Sequence, residues 1–294
     1  MHILVVCCLA IFLYLGNCIS SEDGDYDDSF ARYKMIGFAI ASFSQDPASC
    51  IRNMNDTLFL RKITVKCDFA NDTECSASLA LDHHNKAIII SHRGSQHFMN
   101  VTDKVVEALY DEMESFVSGG NVSKHFKKAW SSVWNTALKD PFLTLKNTYQ
   151  DYDIWITGYS LGGVMASLTA ANIGALNYVS KDKIKVMTFG EPRVGDIDFV
   201  KGFNSVVGYS YRVIHQQDPV PHLPLNNTLN YQYTKEEVFY NNDMSLESSY
   251  TICPDPDDSK DCSDKFHNYT NTDHMLYFKN VSSIISSNCQ ELYS

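Results

Sequence analysis

Apolar and polar residues along the chain follow two periods, and together these predict strands alternating with helices. A strict alternation or a short continuous apolar run indicates a strand, and apolar residues every three or four positions indicate a helix. The predicted strands are 76–81, 86–92, 153–157, 183–189, 209–215 and an edge strand within 231–240. The predicted helices are 31–45, 103–117, 122–139, 161–176 and 198–206.

This alternation is typical of the α/β class, with a mostly parallel central sheet and helices on both faces. The chain has 294 residues, 44% of them hydrophobic and 20% charged, which is enough for one large core. The pattern continues past the midpoint without a proline- or glycine-rich linker. We therefore expect a single domain over residues 21–294.

Residues 1–20 are predicted to be a signal peptide. Their apolar run, Ile3 to Leu15, covers thirteen residues and is too short to cross a bilayer comfortably. Small residues follow at Gly16 and Ser20, as signal peptidase requires, and an acidic segment comes next. No later segment reaches eighteen apolar residues, so we expect a secreted, extracellular protein with no transmembrane span.

The charge of the chain argues against two classes of partner. The formal net charge is -11, and no run of basic residues is present. Nucleic acid and anionic membrane surfaces are therefore poor partners.

Cysteines and glycosylation sequons fit an exported protein. Nine cysteines are present, and six remain beyond the predicted signal peptide, which indicates three disulfides with fifteen possible connectivities. No C-x2-C pair occurs, so metal ligation is the weaker reading and no metal is expected. Sequons stand at Asn55, Asn71, Asn100, Asn121, Asn226, Asn268 and Asn280.

One motif points to chemistry. Residues 153–163 read DIWITGYSLGG, so a serine stands between glycines where a buried strand ends. This is the pattern of a nucleophile elbow, a strained turn that exposes a hydroxyl above a sheet. Ser160 is the candidate nucleophile, and it would need a histidine to take its proton and a carboxylate to orient that histidine.

The acid and the base are expected downstream of Ser160, in the order acid and then histidine. Asp218 follows a predicted strand directly and precedes a proline, so it is the favoured acid. Asp196 and Asp198 are rivals in a segment that looks like a helix cap. His274, which opens a segment HMLYF expected to dock as a terminal helix, is the favoured base.

Other histidines are weaker candidates for the base. His222 lies only four residues beyond Asp218, and His267 lies in a predicted surface loop. His83, His84 and His125 are read as structural residues. No organic cofactor is required by this chemistry.

The oxyanion of a tetrahedral intermediate needs preorganised donors. The backbone N–H of Leu161, the residue after the nucleophile, is one candidate. Ser95, in the loop SHRGS after a predicted strand, is the other, and a helix N-cap is its alternative role.

Five blocks of sequence together resemble the class 3, fungal-type triacylglycerol lipases. They are RGS at 93–95, GYSLGG at 158–163, FGEPRVGD at 189–196, YRVIHQQDPVPHLP at 211–224 and DHMLYF at 273–278. The resemblance covers about residues 31–292. It implies an α/β-hydrolase fold and an enzyme that hydrolyses lipid esters without a cofactor. It implies the same nucleophile, acid, base and oxyanion residues, Ser160, Asp218, His274, Ser95 and Leu161.

The resemblance also implies disulfide pairs and a lid. The pairs are Cys50 with Cys289, Cys253 with Cys262, and Cys67 with Cys75. The residues after Ser95 would form a short lid over the site, with Phe98, Met99 and Val101 on its apolar face. Asn100 is a sequon inside this segment, and an ordinary loop is the alternative reading.

The function expected from these observations is hydrolysis of acylglycerols at an oil–water interface or in micelles by a Ser-His-Asp triad. A phospholipase A1 or another carboxylesterase of the same family is an alternative. Two further alternatives are a serine peptidase and a secreted binding protein that keeps the fold without catalysis.

Overall fold

The architecture is a central sheet of eight strands with helices on both faces. The structure, a computed structural model, describes residues 25–69, 72–94, 112–224, 230–234, 236–253, 261–266 and 268–292. The predicted signal peptide lies outside these residues. No helix within the described ranges is long and apolar enough to cross a membrane.

Fourteen strands are present in the described residues. The strands are β1 Thr57–Phe69, β2 Asp72–Asp82, β3 Ala87–His92, β4 Met113–Ser115, β5 Asn121–Ser123, β6 Asp153–Tyr159, β7 Ile184–Phe189, β8 Gly195–Asp196, β9 Tyr209–His215, β10 Tyr231–Gln232, β11 Glu236–Tyr240, β12 Thr251–Cys253, β13 Leu276–Tyr277 and β14 Lys279–Asn280.

Six helices accompany them, two of which contain a π-helical turn. The helices are α1 (Asp28–Phe30, Ala31–Met35 and Ile36–Ala41), α2 (Lys124–Val133, Trp134–Leu138 and Lys139–Thr148), α3 Leu161–Ala175, α4 Ile197–Val206, α5 Asn271–His274 and α6 Val281–Ser286. Short 3-10 turns lie at Pro47–Cys50, Lys181–Lys183, Val220–His222, Ser263–Lys265 and Gln290–Leu292.

The sheet order is β1-β2-β3-β6-β7-β9-β11-β12. Its centre, from β3 to β11, is parallel, and the pairs at the two edges are antiparallel. The central strands are apolar along their length because both faces are covered. In β6, Ile154 and Ile156 pack into the core shared with α2, α3 and α4, whereas Trp155 packs into the core shared with α1. The predicted α/β class with a mostly parallel sheet is confirmed.

Several predicted elements are wrong in detail. Residues 113–115 form a strand rather than the end of a helix, because Gly119 and Gly120 have φ of 109° and 60° and turn the chain into a hairpin with β5. The helix predicted over 122–139 starts after that strand, at Lys124, and continues to Thr148.

Two later elements also differ. The predicted edge strand 231–240 is two strands, and β11 lies inside the sheet between β9 and β12. The segment after His274 is not a terminal helix, because Leu276 pairs with Asn280 in a short hairpin.

Three disulfides staple the fold in the pairs implied by the family resemblance. Cys50 bonds Cys289, Cys67 bonds Cys75, and Cys253 bonds Cys262. The first joins residues 239 apart and ties the start of the described chain to its end. That bond restricts the unfolded chain most strongly, since loop entropy grows with loop length.

We expect the double variant Cys50→Ser/Cys289→Ser to lose roughly 5 kcal/mol of unfolding free energy, from the entropy of a loop of this length. Cys67→Ser/Cys75→Ser, which opens a loop of only 8 residues, is the matched control and should lose roughly half as much. Urea unfolding of both variants measures the difference. An equal loss in the two would contradict the loop-length argument.

Candidate active site

Ser160 lies on a sharp turn between β6 and α3. Its backbone has φ 58° and ψ -131°, a conformation that non-glycine residues rarely adopt. The turn is anchored by the Ser160 N–H, which donates to the Phe189 carbonyl oxygen at 2.8 Å. The strained turn directs the Ser160 hydroxyl toward the side chains that follow β9, as expected of a nucleophile elbow.

The glycines around Ser160 permit a close approach of backbone to backbone. A Cβ on Gly158 would collide with the Gly162 carbonyl, and a Cβ on Gly162 would collide with the His92 carbonyl. Glycine at Gly158 lets α3 begin directly against β6, and glycine at Gly162 lets it begin directly against the end of β3.

His274 and Asp218 complete a hydrogen-bonded chain with Ser160. The His274 Nε2 atom lies 3.0 Å from Ser160 Oγ, and His274 Nδ1 lies 2.8 Å from Asp218 Oδ2. The three side chains are buried. Since a carboxylate only accepts, the imidazole proton belongs on Nδ1, and the Nε2 lone pair faces the serine hydroxyl. This arrangement can deprotonate the hydroxyl as it attacks a carbonyl.

Asp218 is held as a carboxylate. Burial alone would raise the pKa of Asp218, but His274 opposes it, together with hydrogen bonds from the Tyr277 hydroxyl at 2.5 Å and the Val220 N–H at 2.8 Å. The net pKa of Asp218 lies below its ordinary value. An ionised Asp218 can therefore orient the imidazole and stabilise its protonated form.

The first candidate oxyanion donor is at the beginning of α3. As the first residue of the helix, Leu161 has a backbone N–H with no partner inside that helix. Gly94 lies beside it, because a Cβ built on Gly94 would be 3.3 Å from the Leu161 nitrogen. Ser95, the second candidate donor, lies outside the described residues.

Known proteins with similar sequences and folds bear on this site. The family model for Lipase (class 3) matches residues 89–228. A lipase of Caenorhabditis elegans is 32% identical over 227 residues, which is 73% of this chain and 62% of the relative. Over the residues that these comparisons match, the chain is similar to the class 3 lipase family.

Two more distant proteins are also similar to this chain, one in sequence and one in fold. A secreted mono- and diacylglycerol lipase of Penicillium cyclopium is 26% identical over 70% of this chain and 67% of its own length. Lipase II from Rhizopus niveus has the same fold, with a TM-score of 0.73, 20% identity, and coverage of 85% of this chain and 94% of that one. The chain thus spans between three fifths and seven tenths of the two sequence relatives.

Other residues predicted from the sequence lie away from Ser160, His274 and Asp218 or outside the described residues. Asp196 caps α4 by accepting from the Phe199 N–H, which agrees with the cap reading. His222 contacts Asp264, with 2.7 Å between Nδ1 and Oδ1. The predicted lid residues Phe98, Met99 and Val101 lie outside the described residues, as does His267.

The sequons of the described residues differ in exposure. Asn55, Asn268 and Asn280 are exposed, as a glycan requires. The Asn121 side chain instead donates to Asp196 Oδ2 at 2.7 Å. Asn71, Asn100 and Asn226 lie outside the described residues, and glycosylation stays a prediction.

Tyr277 is a site residue that the sequence did not indicate. An aromatic residue in an apolar run reads as a core residue, and only the fold brings it to Asp218. We expect Tyr277→Phe to lose about 1.5–3 kcal/mol of stability at neutral pH, because the hydroxyl donates to a buried charge.

The stability that Tyr277→Phe loses is expected to depend on pH. A carboxylate whose pKa is lowered on folding contributes stability above its unfolded-state pKa, and the contribution is lost as pH falls through the folded-state pKa. The difference between wild type and Tyr277→Phe should therefore shrink in acid, below the ordinary pKa of aspartate. Denaturant unfolding at a series of pH values measures it, and a difference that does not change with pH would contradict the interpretation.

Proposed function

We propose that this protein is a serine ester hydrolase that acts on acylglycerols. The observation that carries the proposal is the hydrogen-bonded chain from Ser160 Oγ through the His274 imidazole to the Asp218 carboxylate. The strained backbone of Ser160 supports it, because such a turn presents the hydroxyl to a substrate.

The reaction follows from the order of these groups. Ser160 Oγ attacks the ester carbonyl carbon while His274 Nε2 takes the hydroxyl proton. The tetrahedral oxyanion accepts hydrogen bonds from the Leu161 N–H and from Ser95. The C–O bond of the ester then breaks, and His274 returns the proton to the leaving alcohol.

The acyl enzyme is hydrolysed by the same groups. Water attacks the carbonyl carbon of the Ser160 ester while His274 takes a proton from that water. The bond between this carbon and Ser160 Oγ then breaks, His274 returns the proton to Oγ, and the carboxylic acid leaves. Asp218 orients the imidazole and stabilises its positive charge in both steps. The relatives named as mono- and diacylglycerol lipases support acylglycerols as the substrate class.

We also propose that the protein is secreted and that it acts on its lipid substrate at an oil–water interface or in micelles. The predicted signal peptide of residues 1–20, the sequons and the three disulfides support an extracellular location. Two relatives are named as secreted. Sequencing the amino terminus of protein collected from culture medium checks this, since it should begin near Ser21.

The activity is tested with purified wild-type protein on a panel of esters. Mono-, di- and triacylglycerol emulsions should be hydrolysed faster than phosphatidylcholine, and casein should not be cleaved. A fluorophosphonate probe should label one residue, and peptide mass spectrometry should locate the label on Ser160. A probe that leaves Ser160 unmodified would overturn the proposal in favour of a binding protein.

A further inference from the structure

His274 is carried by a segment with little secondary structure of its own. Helix α5 has four residues and ends at His274, and the hairpin of β13 and β14 follows. A helix of one turn is not stable by itself. The position of the imidazole is therefore set by contacts between this segment and the rest of the fold.

Buried side chains contact two successive carbonyl groups of that segment. His215 Nδ1 lies 3.0 Å from the Asp273 carbonyl oxygen. The Tyr159 hydroxyl donates to the carbonyl oxygen of His274 itself, at 2.5 Å. Carbonyls at the end of a helix lack partners within it, so Tyr159 satisfies a buried acceptor at the residue that bears the base.

The Tyr159 ring also contacts the His274 ring. The two rings are stacked, with 4.9 Å between centroids and 22° between planes. Tyr159 is completely buried, and burial, with the Asp218 charge, holds the pKa of its hydroxyl well above the ordinary value. The hydroxyl is therefore protonated at neutral pH and can donate.

Tyr159 immediately precedes Ser160 in the chain, so its contacts with His274 connect the residue that bears the base to the turn that bears the nucleophile. The residue beside the nucleophile holds both the backbone and the ring of the residue that bears the base. Two hydrogen bonds and one peptide bond link these three residues in a closed ring. Tyr159 Oη lies 2.5 Å from the His274 carbonyl oxygen, His274 Nε2 lies 3.0 Å from Ser160 Oγ, and Ser160 follows Tyr159 in the chain.

We propose that Tyr159 is a positioning residue that fixes the His274 imidazole against Ser160. It forms no bond to the substrate and transfers no proton, and it acts through the hydroxyl bond and the stacked ring. This inference rests on the proposed function, since it assigns Tyr159 a role in the reaction of Ser160. Displacing a catalytic group by a fraction of its contact distance slows the chemical step without weakening substrate binding.

Tyr159→Phe tests the hydroxyl while keeping the ring. Diethyl p-nitrophenyl phosphate measures the reactivity of Ser160, because it releases one p-nitrophenolate per reactive serine. We expect the rate constant for this reaction to fall about 10- to 100-fold, with the same number of reactive sites. With soluble p-nitrophenyl butyrate, kcat should fall by a similar factor and KM should not change.

Tyr26→Phe is the matched control. Its hydroxyl is buried, lies 2.9 Å from the Tyr240 hydroxyl, and is not part of the site. This variant should lose thermal stability as Tyr159→Phe does, but its rate per reactive site should equal that of wild type. A role of Tyr159 in stability alone would make the two variants alike in rate.

A second pair of variants separates the donor from the packing of the ring. Para-fluorophenylalanine at position 159 fills the space of the hydroxyl without donating, and para-aminophenylalanine restores an N–H donor there. We expect the first to be slow and the second to recover most of the rate. This pair keeps the test available if Tyr159→Phe does not fold.

The outcomes distinguish the two proposals. If wild type reacts with the phosphate and Tyr159→Phe reacts equally fast per site, the positioning role is wrong and the proposed function stands. If wild-type Ser160 does not react at all, the proposed function is wrong, and the inference about Tyr159 is overturned with it.

Discussion

Replacing Ser160 with alanine is expected to lower kcat for ester hydrolysis by roughly a millionfold. The variant keeps His274, Asp218 and the Leu161 N–H, but no oxygen is present to attack the carbonyl carbon. The residual rate should reflect only substrate binding and oxyanion stabilisation. Titrimetry of acid released from an acylglycerol emulsion measures the loss.

Ser42→Ala is the matched control for this result. Ser42 directly follows α1 and is also completely buried, and its hydroxyl donates to the Ala39 carbonyl at 2.8 Å rather than to a residue of the triad. It should keep near-wild-type activity. Hydrolysis by Ser160→Ala at more than about a hundredth of the wild-type rate, far above what a lost nucleophile allows, would mean that another residue attacks the ester.

Replacing Asp218 with asparagine is expected to lower kcat by roughly ten-thousandfold. The asparagine amide can donate to His274 Nδ1, which favours the tautomer with its proton on Nε2. That proton would face Ser160 Oγ, 3.0 Å away, and the imidazole could no longer accept the serine proton. The geometry would be retained while the base is lost, so KM for p-nitrophenyl butyrate should stay near that of wild type.

Asp196→Asn controls for the loss of a carboxylate elsewhere. Asp196 caps α4, and asparagine is an equally good cap, so activity should be retained. The comparison also decides between the favoured acid and its sequence rival. If Asp196→Asn were the slow variant and Asp218→Asn the active one, the assignment of the acid would be wrong.

The sequence predicted the elements that have both a clear period and buried surroundings. Strand β9 has the predicted bounds, 209–215, and β6 begins at the predicted residue, because apolar runs of this length are buried on both faces of a parallel sheet. The prediction of secondary structure was poorer where tertiary contacts determine whether a segment forms a helix or a strand. Residues 113–115 have helical spacing, but they pair with β5 across the turn at Gly119-Gly120.

The residues of the site differ in how clearly the sequence indicates them. The elbow at Ser160 is visible in local sequence, since the glycines are required by close packing and the serine stands between them. Asp218 was favoured from its place after a strand, and His274 from chain order and the family resemblance. Tyr159 and Tyr277 carry no local signal, because their contacts join residues 115 and 59 positions apart.

The bond between Cys50 and Cys289 makes most of the polypeptide a covalent ring. A protease that cuts one exposed loop inside this ring cannot release either piece. After a cut between Ser160 and His274, the two fragments that carry them would stay attached, and their separation on a gel would require a reductant. A molecule nicked once therefore keeps the fragments that carry its triad joined after the cleavage.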